Sequence, residues 1–121
     1  MRLIAPALHR ILDFTTVAVF AVAPTLLHLT GVAALLSYVL ALVHLTLTAL
    51  THFPAGPERV VPFAWHRRIE LVVGLALVLL SLFARWGGAA QAFYLAAGIV
   101  ILAVSSLTSP GGAADPTRVR R

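Results

Sequence analysis

Apolar residues fill the chain in four long runs, separated by short clusters of Gly, Pro and polar residues. The first run extends from Ile11 to about Leu29 and contains Asp13, Thr15, Thr16, Pro24, Thr25 and His28. A turn at Thr30 and Gly31 leads into the second, Val32 to about Thr51, which carries Ser37, His44, Thr46 and Thr48. The stretch from Phe53 to Arg59 holds two prolines and a glycine, which ends a helix and forms a loop. A third run starts near Trp65 and His66 and reaches Phe83 or Trp86. Gly87 and Gly88 turn the chain into a fourth, from about Ala89 to Leu107, stopped by Ser109, Pro110, Gly111 and Gly112. Each run is close to the ~20 residues that a bilayer-crossing helix needs. The pattern predicts an all-α fold, an integral membrane four-helix bundle built from two tandem helical hairpins. The expected organisation is an N-terminus at 1–10, a first hairpin at 11–52, a loop at 53–64, a second hairpin at 65–108 and a basic tail at 109–121. A cleaved signal peptide is the rival reading of the first run, because Arg2 and Arg10 precede it and Ala21 and Ala23 form a small-residue pair. Asp13 inside the run, and its continuation through Leu26, Leu27 and Leu29, favour a retained helix.

The chain also resembles itself. A shift of 57 residues lays His9-Arg10 on His66-Arg67, Asp13 on Glu70, Gly31 on Gly88, and Thr48 and Thr51 on Ser105 and Thr108. Two copies of one hairpin, each with an even number of spans, are parallel and related by a two-fold axis along the membrane normal. Within the second run Ser37, Ala41, His44, Thr48 and Thr51 share one face, and in the fourth Tyr94, Gly98, Ile101, Ser105 and Thr108 match them. Small and hydroxyl side chains allow close helix approach in lipid, so Ser37, Ala41, Gly74, Gly98 and Ser105 are expected at helix interfaces. Asp13, Thr16, Phe20 and Pro24 on the first helix, and Glu70, Gly74, Leu77 and Ser81 on the third, are the facing positions.

Composition agrees with the spans. Of 121 residues, 60% are apolar and 11% charged, and mean hydropathy is +0.98, so no soluble catalytic domain is accommodated. The absence of cysteine excludes disulfides, thiolate metal sites and iron–sulfur clusters. The basic residues are all arginines. Eight of them (Arg2, Arg10, Arg59, Arg67, Arg68, Arg118, Arg120, Arg121) fall on one predicted face and Arg85 alone on the other. The positive-inside rule then predicts a multi-pass protein of the bacterial inner membrane with both termini cytoplasmic. The expected partners are the lipid bilayer, its anionic headgroups, and other membrane chains or further copies of this one, with no nucleic acid.

The ionisable residues gather at one depth. His9, Arg10, Asp13, Thr48, His52, His66, Arg67, Arg68 and Glu70 are expected in one cytoplasm-side layer, with His44 about 12 Å above His52 by helical rise. One reading is a proton or cation site, since intramembrane carboxylates and histidines are costly and line pathways or pair with one another. The other is an interfacial clasp, with Asp13 and Glu70 at helix starts and paired to Arg10, Arg67 or Arg68. His44 has Ile101 as its repeat partner, so symmetry does not demand a polar group there; it is the candidate ligand of a haem, a pigment or a quinone. Two-histidine haem ligation is disfavoured because His28 lies far from His44 in depth. His9, His52 and His66 are the histidines available to a metal, but no span has two histidines at i, i+4, so no metal site is expected. Phe53, Phe63, Trp65, Trp86, Tyr38 and Tyr94 fall near span ends, as interfacial anchors do.

The tandem hairpins, with the segments Val19 to Leu27 and Leu77 to Phe83, resemble the small bacterial SPW-repeat membrane proteins. Their Ser-Pro-Trp signature is reduced here to Pro24 in the first copy and Ser81 in the second. The resemblance implies the two-hairpin fold and no mechanism. Small multidrug transporters share the size and an early acidic residue at the place of Asp13, but the one-sided arginines do not fit dual insertion. Three functions follow in order: a non-enzymatic accessory or assembly subunit or homo-oligomer acting through helix contacts; a transporter or proton conductor using Asp13, His44 and Glu70; and a haem, pigment or quinone binder through His44.

Overall fold

The computed structural model describes residues 3–110. Arg2 and all but the first two residues of the expected tail, with Asp115, Arg118, Arg120 and Arg121, lie outside the described residues. Four helices account for about three quarters of it: α1 (Pro6–Leu26), α2 (Gly31–Leu50), α3 (Phe63–Phe83) and α4 (Gly88–Leu107). The fold is all-α apart from two two-residue strands, β1 (Thr51–His52) and β2 (Val61–Pro62), paired in parallel. Three helices, α1, α2 and α4, are long and apolar enough to cross a membrane. The other, α3, has the same length but carries Arg67, Arg68 and Glu70 in its first half.

Helices α1 and α3 begin earlier than the apolar runs suggest, at Pro6 instead of Ile11 and at Phe63 instead of Trp65. Pro6 stands in the first turn of α1, where its missing N–H is no loss and its φ is already helical. Asp13 and Glu70 therefore sit seven residues inside their helices, about 10 Å from the start, and not in the first turn. The starts of α1 and α3, and those of α2 and α4, are each 57 residues apart, and each pair has equal length. The turns correspond as well. His28 and Arg85 both have positive φ (53° and 56°), and Gly31 and Gly88 open their helices at φ 56° and 51°.

Helices pack most closely within hairpins, α1 on α2 and α3 on α4. Gly74 and Gly98 bring α3 and α4 together: a Cβ on Gly98 would stand 2.8 Å from the Gly74 carbonyl oxygen and 2.9 Å from the Val78 nitrogen. The extended residue after each even-numbered helix then pairs with the segment entering the other hairpin. Thr51 pairs with Val61, and Thr108 with Ile4, whose carbonyl accepts from Ser109 N–H at 2.8 Å.

Burial is inverted relative to a water-soluble bundle. Leu35, Leu42, Val72, Leu82, Phe83 and Ile99 are each more than half exposed, while His9, Asp13, His66, Glu70, Ser105 and Thr108 are all at most 3% exposed. Ser37, Ala41, His44 and Thr48 are buried on α2, and Tyr94, Gly98, Ile101 and Ser105 on α4. Tyr94 is fully enclosed and donates to the Ala33 carbonyl at 2.6 Å, so it joins the core instead of anchoring at an interface. Ser37 donates to the Phe20 carbonyl at 2.6 Å, tying α2 to α1.

Candidate functional site

Five buried ionisable side chains meet at one point: His9 and Asp13 from α1, His44 from α2, and His66 and Glu70 from α3. Their convergence starts from local spacing. His9 and Asp13, and likewise His66 and Glu70, are four residues apart, so each pair occupies one face of its helix. Packing α1 and α3 on either side of the centre brings the two faces together, and α2 adds His44.

The distances are even. His9 Nε2 stands 3.2 Å from Asp13 Oδ1 and 2.9 Å from Glu70 Oε2. His66 Nε2 stands 3.0 Å from Asp13 Oδ2 and 3.1 Å from Glu70 Oε1. His44 Nε2 is 3.5 Å from Asp13 Oδ1 and 3.5 Å from Glu70 Oε1. Each ring nitrogen thus stands near one oxygen of each carboxylate, and none of the three makes a hydrogen bond of good geometry to either. A cluster held by hydrogen bonds would direct each N–H at one acceptor.

The far side of two rings fixes their tautomer. The Thr51 hydroxyl donates to the Leu47 carbonyl (2.6 Å), so its oxygen is the acceptor in the 2.7 Å contact with His66 Nδ1. The Thr108 hydroxyl donates to the Val104 carbonyl (2.5 Å) and likewise accepts from His9 Nδ1 at 2.7 Å. A threonine hydroxyl has one proton, already used in each case, so both imidazoles carry hydrogen on Nδ1. In the neutral rings Nε2 is then a lone pair, and two lone pairs face two carboxylates. Such an arrangement is repulsive unless positive charge lies among them.

That charge is supplied either by protons on the Nε2 atoms or by a metal ion, for which these atoms are suitable donors. His9, Asp13, His66 and Glu70 each offer a ligand atom, all within 4.8 Å of one another. Donors ~2.1 Å from one ion are about 3.0 Å apart when adjacent in an octahedron and about 3.4 Å apart in a tetrahedron, close to the nitrogen–oxygen separations of 2.9 to 3.5 Å. Metal-ligating histidines hydrogen-bond through their other nitrogen, as His66 does to Thr51 and His9 to Thr108. Ser105 donates to Glu70 Oε2, and the Arg67 guanidinium donates to the Ser105 carbonyl through Nε (3.3 Å) and Nη2 (3.0 Å). Phe53 and Phe63 close the site toward the loop. Phe63 meets the edge of His9 at 5.5 Å between centroids and Phe53 meets His66 at 5.5 Å, so these rings are sealing residues, not interfacial anchors.

Of the expected polar layer, His9, Asp13, His44, His66 and Glu70 come together. Thr48 is buried nearby, with an unpartnered hydroxyl, and lines a cavity of about 190 Å³ with Arg10, Thr51, Phe53 and Arg59. Arg10 and Arg68 are exposed and His52 is half-buried; Arg68 lies over the Trp65 ring at 5.3 Å. The carboxylates' buried neighbours at the centre are histidines. His44 faces Asp13 and Glu70, and it lines a cavity of about 20 Å³. Two signals go unused when histidine pairs alone are sought: the His-x-x-x-acid spacing in both copies, and the coincidence of Thr51 with Thr108. No known family model, curated protein or solved structure matches this chain.

Proposed function

We propose that the chain is an integral membrane protein that binds one divalent transition-metal ion at the centre of its bundle, through His9, Asp13, His66 and Glu70, with His44 as a fifth ligand. The observation that carries this reading is the convergence of three Nε2 atoms on the same two buried carboxylates, none of them with a hydrogen bond of good geometry. Two carboxylates and neutral imidazoles balance a charge of two, which matters in a low-dielectric core. Nitrogen and oxygen donors without sulfur suit Zn²⁺, Fe²⁺, Mn²⁺ or Co²⁺. An accessory role through helix contacts alone leaves these buried charges unexplained.

Membrane integration is supported by the apolar outward faces and by helices of 20 and 21 residues, about 30 Å long, equal to the hydrocarbon thickness of a bilayer. The equal helix lengths, matched turns and exchanged strand pairs support two copies of one hairpin, the arrangement that the SPW-repeat resemblance implies. In this reading the termini and the loop at 53–62 face the cytoplasm, on the arginine-rich side of the bacterial inner membrane.

Metal analysis of protein extracted in mild detergent and supplied with Zn²⁺, Mn²⁺, Fe²⁺ or Co²⁺ tests the proposal. One tightly held ion per chain is expected, lost in the Asp13→Asn, Glu70→Gln double variant. Failure of folded wild-type protein to retain any of these ions would overturn it.

A further inference from the structure

The ligand set is symmetric except at one place. Under the 57-residue shift His9 corresponds to His66, Asp13 to Glu70, and Thr51 to Thr108, so four ligands and both supporting hydroxyls come in pairs. His44 has no such counterpart, because its equivalent on α4 is Ile101, a residue 5% exposed. His44 and Ile101 both line a cavity of about 20 Å³, together with Glu70, Phe20 and Val73. A space of that size holds about one water-sized molecule, and apart from His44 and Glu70 its walls are apolar.

Resting on the metal reading above, we propose that the centre takes a small exogenous ligand, a water or a diatomic gas, at a sixth position beside Ile101. With one atom from each of His9, Asp13, His66 and Glu70 and His44 as the fifth ligand, an octahedral ion keeps one position, and the repeat places its natural sixth ligand where isoleucine stands. Structural metal sites are fully enclosed by protein ligands, whereas reactive ones keep a position for water or substrate. The apolar wall disfavours a charged or bulky occupant and admits one of one or two heavy atoms. The centre is thereby assigned to ligand exchange with a small molecule, and not to holding the helices together alone.

The test uses the full chain loaded anaerobically with Fe²⁺ and titrated with nitric oxide. Wild type is expected to form one high-spin iron–nitrosyl per bound iron, read by electron paramagnetic resonance. Ile101→His restores the repeat and fills the position, so iron stays bound while at least nine-tenths of the nitrosyl signal is lost. Ile101→Ala enlarges the space and keeps the signal; in its Co²⁺-loaded form azide shifts the visible bands, which it does not do in wild type. If Ile101→His does not fold, Ile101→Phe fills the same space by bulk and is read in the same way. Bound iron without a nitrosyl in wild type, or a full signal with a folded position-filling variant, overturns this proposal and leaves the metal reading intact. Absence of bound iron, Co²⁺, Zn²⁺ and Mn²⁺ overturns both.

Discussion

Replacing Thr51 by Val removes one hydroxyl at nearly constant volume and tests the tautomer argument directly. In the native protein His66 Nδ1–H is held by Thr51 Oγ1 at 2.7 Å, and both residues are at most 3% exposed. After the change, the ring either keeps its Nδ1 proton without an acceptor or moves the proton to Nε2 and ceases to be a ligand. The first course costs about 1–3 kcal/mol for an unpaired buried donor. Loss of the hydrogen-bond partner behind a ligating histidine typically weakens metal binding about 10–100-fold, or about 1.4–2.7 kcal/mol, so the two routes agree in size. Competition of Zn²⁺ or Co²⁺ between the detergent-solubilised protein and a chromophoric chelator reads this change. Thr108→Val is expected to do the same through His9, and Thr51→Ser, which keeps the hydroxyl, to stay within about threefold of wild type. The thermal stability of the metal-free variants separates a folding defect from a binding defect. Thr51→Val binding within twofold of wild type, with metal-free stability reduced, would show that the hydroxyl supports packing and not the ligand.

Two further outcomes follow from the packing. Gly98→Ala is expected to destabilise the bundle by about 1–3 kcal/mol, because the new methyl meets the Gly74 carbonyl and the Val78 nitrogen, which are backbone and cannot rotate away. Denaturant unfolding in mixed micelles measures it, and an unchanged midpoint would mean that α3 and α4 stand further apart. Co-expressed halves, 1–57 and 58–121, are expected to co-purify with metal and to separate in excess chelator, as seen by size-exclusion chromatography; a pair that persists without metal would place their cohesion elsewhere.

The helices and their buried faces are legible because apolar length and three-to-four spacing are properties of one segment at a time. Ser37, Ala41, His44 and Thr48 follow from spacing alone, as do Glu70, Gly74, Leu77 and Ser81. The centre is not legible in that way. On an isolated helix Asp13 has both His9 and Arg10 within one turn, and spacing cannot choose between them. Desolvation chooses. An imidazole can be buried neutral, whereas a guanidinium keeps its charge, and its long stem carries that charge to the surface. Hence His9 is fully buried and Arg10 exposed. The depth of Asp13 was equally hidden, because the apolar run starts at Ile11 while Pro6 starts the helix five residues earlier. The roles of Thr51 and Thr108 depend on which carbonyl each hydroxyl has already engaged, which no sequence pattern records.

The supporting contacts cross between hairpins. Thr51 follows the first hairpin and orients His66 of the second; Thr108 follows the second and orients His9 of the first. The strand pairs cross in the same sense, Thr51 with Val61 and Thr108 with Ile4. Either hairpin alone therefore holds a histidine whose tautomer is set by the other. Close helix packing is mainly within hairpins, so the polar centre and these exchanged pairs carry much of the connection between them. In a bilayer no hydrophobic force draws one hairpin to the other, since lipid solvates apolar faces as well as protein does. In the proposed reading, an ion that neutralises Asp13 and Glu70 together supplies that attraction, and it does so only when both hairpins present their ligands. Metal binding and assembly of the bundle are on this account one equilibrium, and the strength of one sets the strength of the other.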